Sequence, residues 1–159
     1  MIWIQFLATA LVIGNPKLSD PRFPDLQGAL KEACEVFDIL DGASTPKYTV
    51  EKLTGADATP VAVMTKLHER QWRILHLAGH GVFEWAAAEG QPSVTGFVLD
   101  NGIFLTPAEA EQMRFVPELV FVNCCHLGNA AGDADVVRGI ARQILWLAKQ
   151  AQIDETQRP

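Results

Sequence analysis

The sequence predicts an α/β fold, a three-layer sandwich in which helices cover both faces of a mainly parallel sheet. Apolar runs typical of buried strands alternate along the chain with amphipathic segments of helical period, which is the order of βαβ units. The chain has 159 residues, of which 48% are hydrophobic and 20% charged, a balance that suits a globular protein with one sizeable core. We therefore expect a single domain over residues 1–159.

The first two predicted elements are a buried strand and an amphipathic helix. Residues 10–13 are a continuous apolar run ended by Gly14-Asn15-Pro16, which predicts a strand buried on both faces. From Pro24 to Gly42, apolar residues recur at three- and four-residue spacing, which predicts a helix with one apolar face. Four charged residues fall on the opposite, solvent-facing side of this helix: Lys31, Glu32, Glu35 and Asp38.

The rest of the chain continues the alternation. Residues 47–54 predict a more polar strand near the sheet edge, and Thr59-Pro60 predicts a helix start, because threonine caps a helix and proline fits its first turn. The remaining predicted elements are a strand over 72–78, a hairpin over 97–105 about Asn101-Gly102, a helix from Thr106-Pro107, a strand over 119–123 and a helix over 133–150.

Charge and cysteine content argue against several classes of protein. A net charge of −6 disfavours nucleic-acid and anionic membrane partners. Three cysteines, two of them adjacent, do not make a disulfide framework, and this favours a reducing, cytoplasmic location. The apolar start, residues 1–13, lacks a basic segment and is shorter than the ~20 residues of a membrane helix, so we expect neither a signal peptide nor a membrane span. We expect no cofactor and no metal.

Reactive side chains follow two of the predicted strands. The apolar run from residue 74 ends in His80-Gly81, and the run from residue 119 ends in Cys124-Cys125. In an open α/β sheet, ligands bind beyond the carboxyl ends of the strands, and the ends of neighbouring strands lie about 4.8 Å apart. An imidazole and a thiol placed in this way are the parts of a cysteine nucleophile site.

The pattern separates His80 and Cys125 from the residues beside them. His76 lies inside its strand and is interpreted as a buried structural histidine, and Cys124 is interpreted as a packing residue, since successive strand residues point to opposite faces. His80 lies between two glycines, where the backbone can approach a substrate closely. Cys125 comes where strand pairing is expected to end. We therefore predict that His80 and Cys125 act together.

These motifs resemble those of the CHAT domain, a caspase-like group of cysteine peptidases. The resemblance rests on His76-Leu-Ala-Gly-His80-Gly81, on the hairpin that follows, and on Val122-Asn-Cys-Cys125-His-Leu-Gly128, and it covers about residues 10–145. It implies a caspase–haemoglobinase fold and hydrolysis of peptide bonds in a protein or peptide substrate. His80 would be the catalytic histidine, Cys125 the nucleophile, and the backbone N–H groups of Gly81 and Cys125 the oxyanion hole.

Two features depart from the family pattern. Asn123-Cys124 precedes the predicted nucleophile and His126 follows it, where the family commonly has small residues before and an acidic residue after, and this leaves the cleavage preference open. The strands and helices that end the family fold have no counterpart after the last predicted helix, so we expect a C-terminally truncated domain. CHAT domains often accompany helical repeats, which implies helical-repeat domains or partner proteins as partners, although this sequence contains no repeat.

Three alternatives to a peptidase remain. The truncation favours a catalytically silent CHAT-like fragment that acts as a docking or regulatory module. A nucleotide site is disfavoured, because Gly79-His-Gly81 lacks the third glycine of the dinucleotide motif. A metal site has enough ligands by count, but adjacent cysteines on a strand diverge. Its candidate ligands are His76, His80, Cys124, Cys125 and His126.

Overall fold

Six strands and three helices, which alternate except for three successive strands, form the computed structural model, which describes residues 8–126 apart from the side chains of Glu111, Cys125 and His126. This alternation confirms the α/β class, whereas the predicted helix over 133–150 lies outside the described residues. The elements are β1 (Ala8–Pro16), α1 (Gln27–Asp41), β2 (Tyr48–Gly55), α2 (Pro60–Glu69), β3 (Ile74–Trp85), β4 (Val94–Val98), β5 (Phe104–Leu105), α3 (Pro107–Glu111) and β6 (Leu119–His126).

The strands form one mixed sheet in which the central pairs are parallel. β1 pairs in parallel with β2 on one edge and with β3 on the other, and β6 pairs in parallel with β3. β4 pairs antiparallel with the second half of β3, and β5 pairs antiparallel with β4. β2 lies at the sheet edge, as its polar sequence predicts. None of the helices within residues 8–126 is long and apolar enough to cross a membrane.

Alternate residues of the central strands face two different helices. Leu11 of β1 and Leu75 of β3 belong to a buried apolar cluster that also contains Val63 of α2. On the other face of β1, Gly14 lies against α1, since a Cβ built on Gly14 would be 2.2 Å from the Cβ of Ala33. Because strand side chains alternate between faces, α1 and α2 cover opposite sides of the sheet.

The local signals in the sequence correspond to real caps and turns. The Thr59 hydroxyl accepts a hydrogen bond from the backbone N–H of Ala62 at 3.1 Å, and Pro60 begins α2. Asn101 and Gly102 have φ angles of 57° and 69°, the left-handed pair that a type I′ hairpin turn requires. These residue types predict the element boundaries for local reasons. Thr59 accepts a hydrogen bond from a backbone N–H that the helix leaves unpaired, and Asn101 and Gly102 adopt positive φ angles that most other residues adopt only with strain.

β3 is longer than the sequence predicts. The prediction ended this strand at Ala78, with His80 beyond it, but the strand continues to Trp85 because β4 pairs with its second half. Gly79, one of the two glycines at which the backbone is expected to approach a substrate closely, provides room for the packing of a side chain instead. A Cβ at Gly79 would lie 2.9 Å from the ring of Phe97. His80 is therefore an interior strand residue, and the prediction that it follows the strand end is wrong.

The close approach of β1 to α1 can be tested by adding one methyl group. We expect Gly14→Ala to lower the free energy of unfolding by about 1–3 kcal/mol, because the new methyl overlaps Ala33 and overpacked cores lose stability of this order. Gly28, on α1, has nothing within 4 Å of an added Cβ, so Gly28→Ala should be neutral or stabilising by up to about 1 kcal/mol. Urea denaturation followed by circular dichroism measures both variants, and equal stabilities would contradict this packing.

Candidate active site

The register of β3 and β6 places the two predicted site residues side by side. The parallel pairing runs from Ile74 opposite Leu119 to Gly81 opposite His126, and it pairs His80 with Cys125. The prediction that these strands are neighbours is confirmed. Pairing continues past Cys125, so the expectation that it ends there is wrong. The Cys125 side chain lies outside the described part of the structure, and the backbone register is what relates the two residues.

His80 is buried and held by a backbone carbonyl. The residue is 5% exposed, and its Nε2 lies 2.6 Å from the carbonyl oxygen of Pro24. Because a carbonyl oxygen can only accept a hydrogen bond, Nε2 carries the proton, and Nδ1 of the neutral ring keeps its lone pair. Nδ1 is also buried, and it has no hydrogen-bond partner among the described residues. The contact with Pro24 therefore fixes the tautomer of the imidazole, and Nδ1 is a potential base with no hydrogen-bond partner among the described residues.

The loop between β1 and α1, residues 17–26, carries the Pro24 carbonyl and is anchored at both ends. Asn15 turns the chain out of β1 with a φ of 44°, and its side-chain oxygen accepts a hydrogen bond from the backbone N–H of Leu26 at 3.0 Å. Ser19 donates its backbone N–H and its hydroxyl to the carboxylate of Asp100, each at 2.7 Å. These two bonds hold the pKa of Asp100 below its usual value.

An aromatic cluster packs under the same loop. Phe23 is buried with Val82 and Val98, and Trp85 packs against this group. The Phe23 ring meets the His80 imidazole edge-on, with centroids 5.5 Å apart. Trp85 is therefore a packing residue. The Phe23 ring is therefore a second contact of the His80 imidazole, in addition to the Pro24 carbonyl.

The residues next to the pair are both buried. Cys124 is 4% exposed and belongs to the apolar cluster beneath α2, which confirms its interpretation as a packing residue. Gly81 is buried and paired on both edges, with Phe97 of β4 and with His126 of β6. The assignment of the Gly81 and Cys125 N–H groups to an oxyanion hole stays a prediction.

The family model of the CHAT domain matches residues 4–153. The chain belongs to the CHAT domain family. The match includes all the described elements and both strands that bear the predicted site residues, and it confirms the resemblance seen in the motifs. Comparisons with curated proteins and with solved structures give no match.

A second buried histidine of this CHAT domain, His76, lies four residues before His80 on β3 and therefore on the same face of the sheet. His76 is 4% exposed, and its ring stacks on Phe121 of β6 with centroids 5.1 Å apart and planes 3° from parallel. Its Nε2 lies 3.1 Å from Oε1 of Glu32, without the alignment of a hydrogen bond. Burial lowers the pKa of His76 below its usual value, and the Glu32 carboxylate acts in the opposite direction. His76 is thus a structural residue that is neutral at neutral pH.

Glu32 lies close to the candidate site, although the sequence pattern predicts that it faces solvent. The pattern places it on the solvent-facing side of α1, but its side chain is only 28% exposed and lies over the sheet. One carboxylate oxygen approaches His76, and the other accepts a hydrogen bond from the Asn123 side chain at 2.5 Å. Position 32 is three residues after Ala29 and four before Val36, so it borders the apolar stripe, and this spacing is the signal that could have identified it.

The described side chains do not assemble a metal site in this CHAT domain. Among them, no three His, Cys, Asp or Glu side chains lie close enough together to hold an ion. Glu32 and His76 make only a two-residue contact. The alternative metal site suggested by the sequence also includes Cys125 and His126, whose side chains lie outside the described structure.

Acidification below pH 6.5 should destabilise this CHAT domain through His76. Because the pKa of His76 is lowered in the folded chain, the unfolded chain binds a proton below about pH 6.5 that the folded chain does not. Stability then falls with pH, by at most about 1.4 kcal/mol per pH unit from this group, until folded His76 is protonated as well. Urea denaturation between pH 7.5 and 5 should show a steeper loss for wild type than for His76→Gln. Parallel curves would contradict this role of His76.

Proposed function

We propose that the chain is a cysteine endopeptidase domain with a caspase-like three-layer fold, in which His80 and Cys125 hydrolyse peptide bonds of a protein substrate. The observation that supports this most is the pairing of His80 with Cys125 while Nε2 of His80 is committed to the Pro24 carbonyl. Membership of the CHAT family supports the reaction class. A reducing compartment such as the cytoplasm would suit a reactive thiol.

The fixed tautomer of His80 assigns the proton transfers. A free thiol with a pKa of about 8.5 is only slightly ionised at neutral pH and needs a base to become a good nucleophile. In the proposed dyad, Nδ1 of His80 accepts the Cys125 proton, because Nε2 already carries one. The ring then becomes an imidazolium, and its hydrogen bond from Nε2 to Pro24 becomes charge-assisted and stronger. The Pro24 carbonyl would therefore stabilise the charged form as well as orient the neutral one.

The acyl transfer follows from these positions. The Cys125 thiolate attacks the scissile carbonyl carbon, and the developing oxyanion accepts hydrogen bonds from the backbone N–H groups of Gly81 and Cys125. Nδ1–H of His80 protonates the leaving amine as the C–N bond breaks, which leaves a thioester on Cys125. Nδ1 then takes a proton from water, the resulting hydroxide attacks the thioester, and the acid product leaves with regeneration of the thiol.

The dyad can be tested with peptidyl acyloxymethyl ketones, which alkylate activated thiols, in a series that differs in the residue next to the reactive group. We expect wild type to be labelled at Cys125 by part of the series, and Cys125→Ala to lose that label. His80→Gln should keep a donor toward Pro24 but lack a base, so we expect labelling to be slower by about 10²-fold or more. Intact-mass and fragment mass spectrometry measure the rate and the labelled position.

Two matched controls accompany this test. His68→Ala removes an exposed histidine of α2, and Cys34→Ala removes a partly buried thiol of α1 whose Sγ lies 3.7 Å from Nζ of Lys52. Both variants should label at the wild-type rate. Equal labelling of wild type and His80→Gln would overturn the dyad. A folded wild-type protein that no member of the series labels would favour the docking module over the peptidase.

A further inference from the structure

Glu32 joins three elements of the fold at one point. It belongs to α1, its Oε1 lies 3.1 Å from the buried His76 of β3, and its Oε2 accepts the hydrogen bond from Asn123 of β6. Asn123 precedes Cys125 by two residues. A strand rises about 3.3 Å per residue, so the bonded amide lies about 7 Å along β6 from the predicted nucleophile. Glu32 therefore connects α1 to β6 at a position two residues before Cys125.

β6 needs such support, because β3 is its one pairing partner among the described strands. Two of its apolar side chains, Leu119 and Phe121, remain more than half exposed. Just before these strands begin, Arg73, which precedes β3, forms a bidentate ion pair with Glu118, which precedes β6, at 2.8 and 2.7 Å. That pair is exposed and contributes little, since water and salt screen it. The bond from the exposed Asn123 side chain to the Glu32 carboxylate is also charge-assisted, and it lies nearer the site.

We propose that Glu32 is a positioning residue, which fixes the end of β6 so that the Cys125 thiol meets Nδ1 of His80. This inference rests on the proposed function, because it concerns the geometry of the proposed dyad. Proton transfer within the dyad needs a separation of about 2.6–3.2 Å between the heavy atoms. A displacement of the strand end by a fraction of this distance would leave the fold intact and the thiol unactivated. His76, which stacks on Phe121, contacts the other oxygen of the Glu32 carboxylate and so limits the positions that this side chain can take.

The test measures the activation of Cys125 directly. The rate of alkylation by iodoacetamide is followed from pH 5 to 10, and fragment mass spectrometry separates modification of Cys125 from that of Cys124. In wild type we expect a profile with a midpoint below the ordinary thiol pKa of about 8.5, because His80 assists ionisation. Glu32→Ala and Asn123→Ala should each move the midpoint toward the ordinary value. The double variant should move it no further than either single variant, because the two residues act through one hydrogen bond.

Two further variants complete the design. Glu32→Gln keeps an oxygen that can accept from Asn123, so it should retain most of the wild-type profile. Glu35→Ala, three residues after Glu32 on the same helix, removes an exposed carboxylate paired with Lys31 at 3.8 Å, and it should leave the profile unchanged. Urea denaturation of every variant reports stability separately from the profile.

The outcomes separate this inference from the proposed function. A folded Glu32→Ala with the wild-type profile overturns the positioning role, even if it has lost stability. If Glu32→Ala does not fold, Asn123→Ala decides, since it breaks the same bond at an exposed residue. A midpoint that moves in His80→Gln but not in Asn123→Ala overturns this inference and leaves the dyad standing. An ordinary wild-type midpoint that His80→Gln does not change overturns both.

Discussion

The backbone ladder between β3 and β6 is the constraint on which the arrangement of the site depends. It sets which residues share a row, and a slip of one residue would exchange every buried side chain of β6 for its exposed neighbour. The apolar core resists such a slip, because Val122 and Cys124 are buried in it while Phe121 and Asn123 are not. The positions of the two adjacent cysteines thus depend on each other. Burial of Cys124 fixes the row in which Cys125 falls, and that row contains His80.

His80 is constrained from two independent directions. The backbone of His80 is fixed by β3, a strand that has paired neighbours on both of its edges. The ring of His80 is fixed by the loop between β1 and α1, through the Pro24 carbonyl and the Phe23 side chain. That loop is itself tied to the end of β1 and to the start of α1 by Asn15. The sheet therefore determines where the imidazole is, and the loop determines which nitrogen bears the proton. A histidine held only by its strand would be free to adopt either tautomer.

Sequence patterns predict those parts of the fold that depend on local chemistry. The caps and the Asn101-Gly102 turn lie where residue types predict them, because the reasons for those residues are contained within a few neighbouring backbone groups. The predictions fail where a distant element decides. Gly79 is expected to leave room for a substrate, but β4 places Phe97 beside it, and Glu32 is expected to face solvent, but β6 supplies Asn123 as its partner. The proximity of His80 to Cys125 could be predicted because the sequence indicates that their strands are parallel neighbours, whereas the contact with Pro24 could not.

The anchor of His80 on Pro24 has a consequence for how the site can be recognised in other chains. A carbonyl oxygen belongs to the backbone, so every amino acid at this position would present the same acceptor. Neither alanine scanning nor conservation of residue type would therefore detect the hydrogen bond from His80 to this carbonyl. What must be preserved is the path of the loop, which depends on the left-handed backbone at Asn15 and on its side-chain bond to Leu26. A search for related sites should compare the course of the chain over residues 15–26, and not the identity of residue 24.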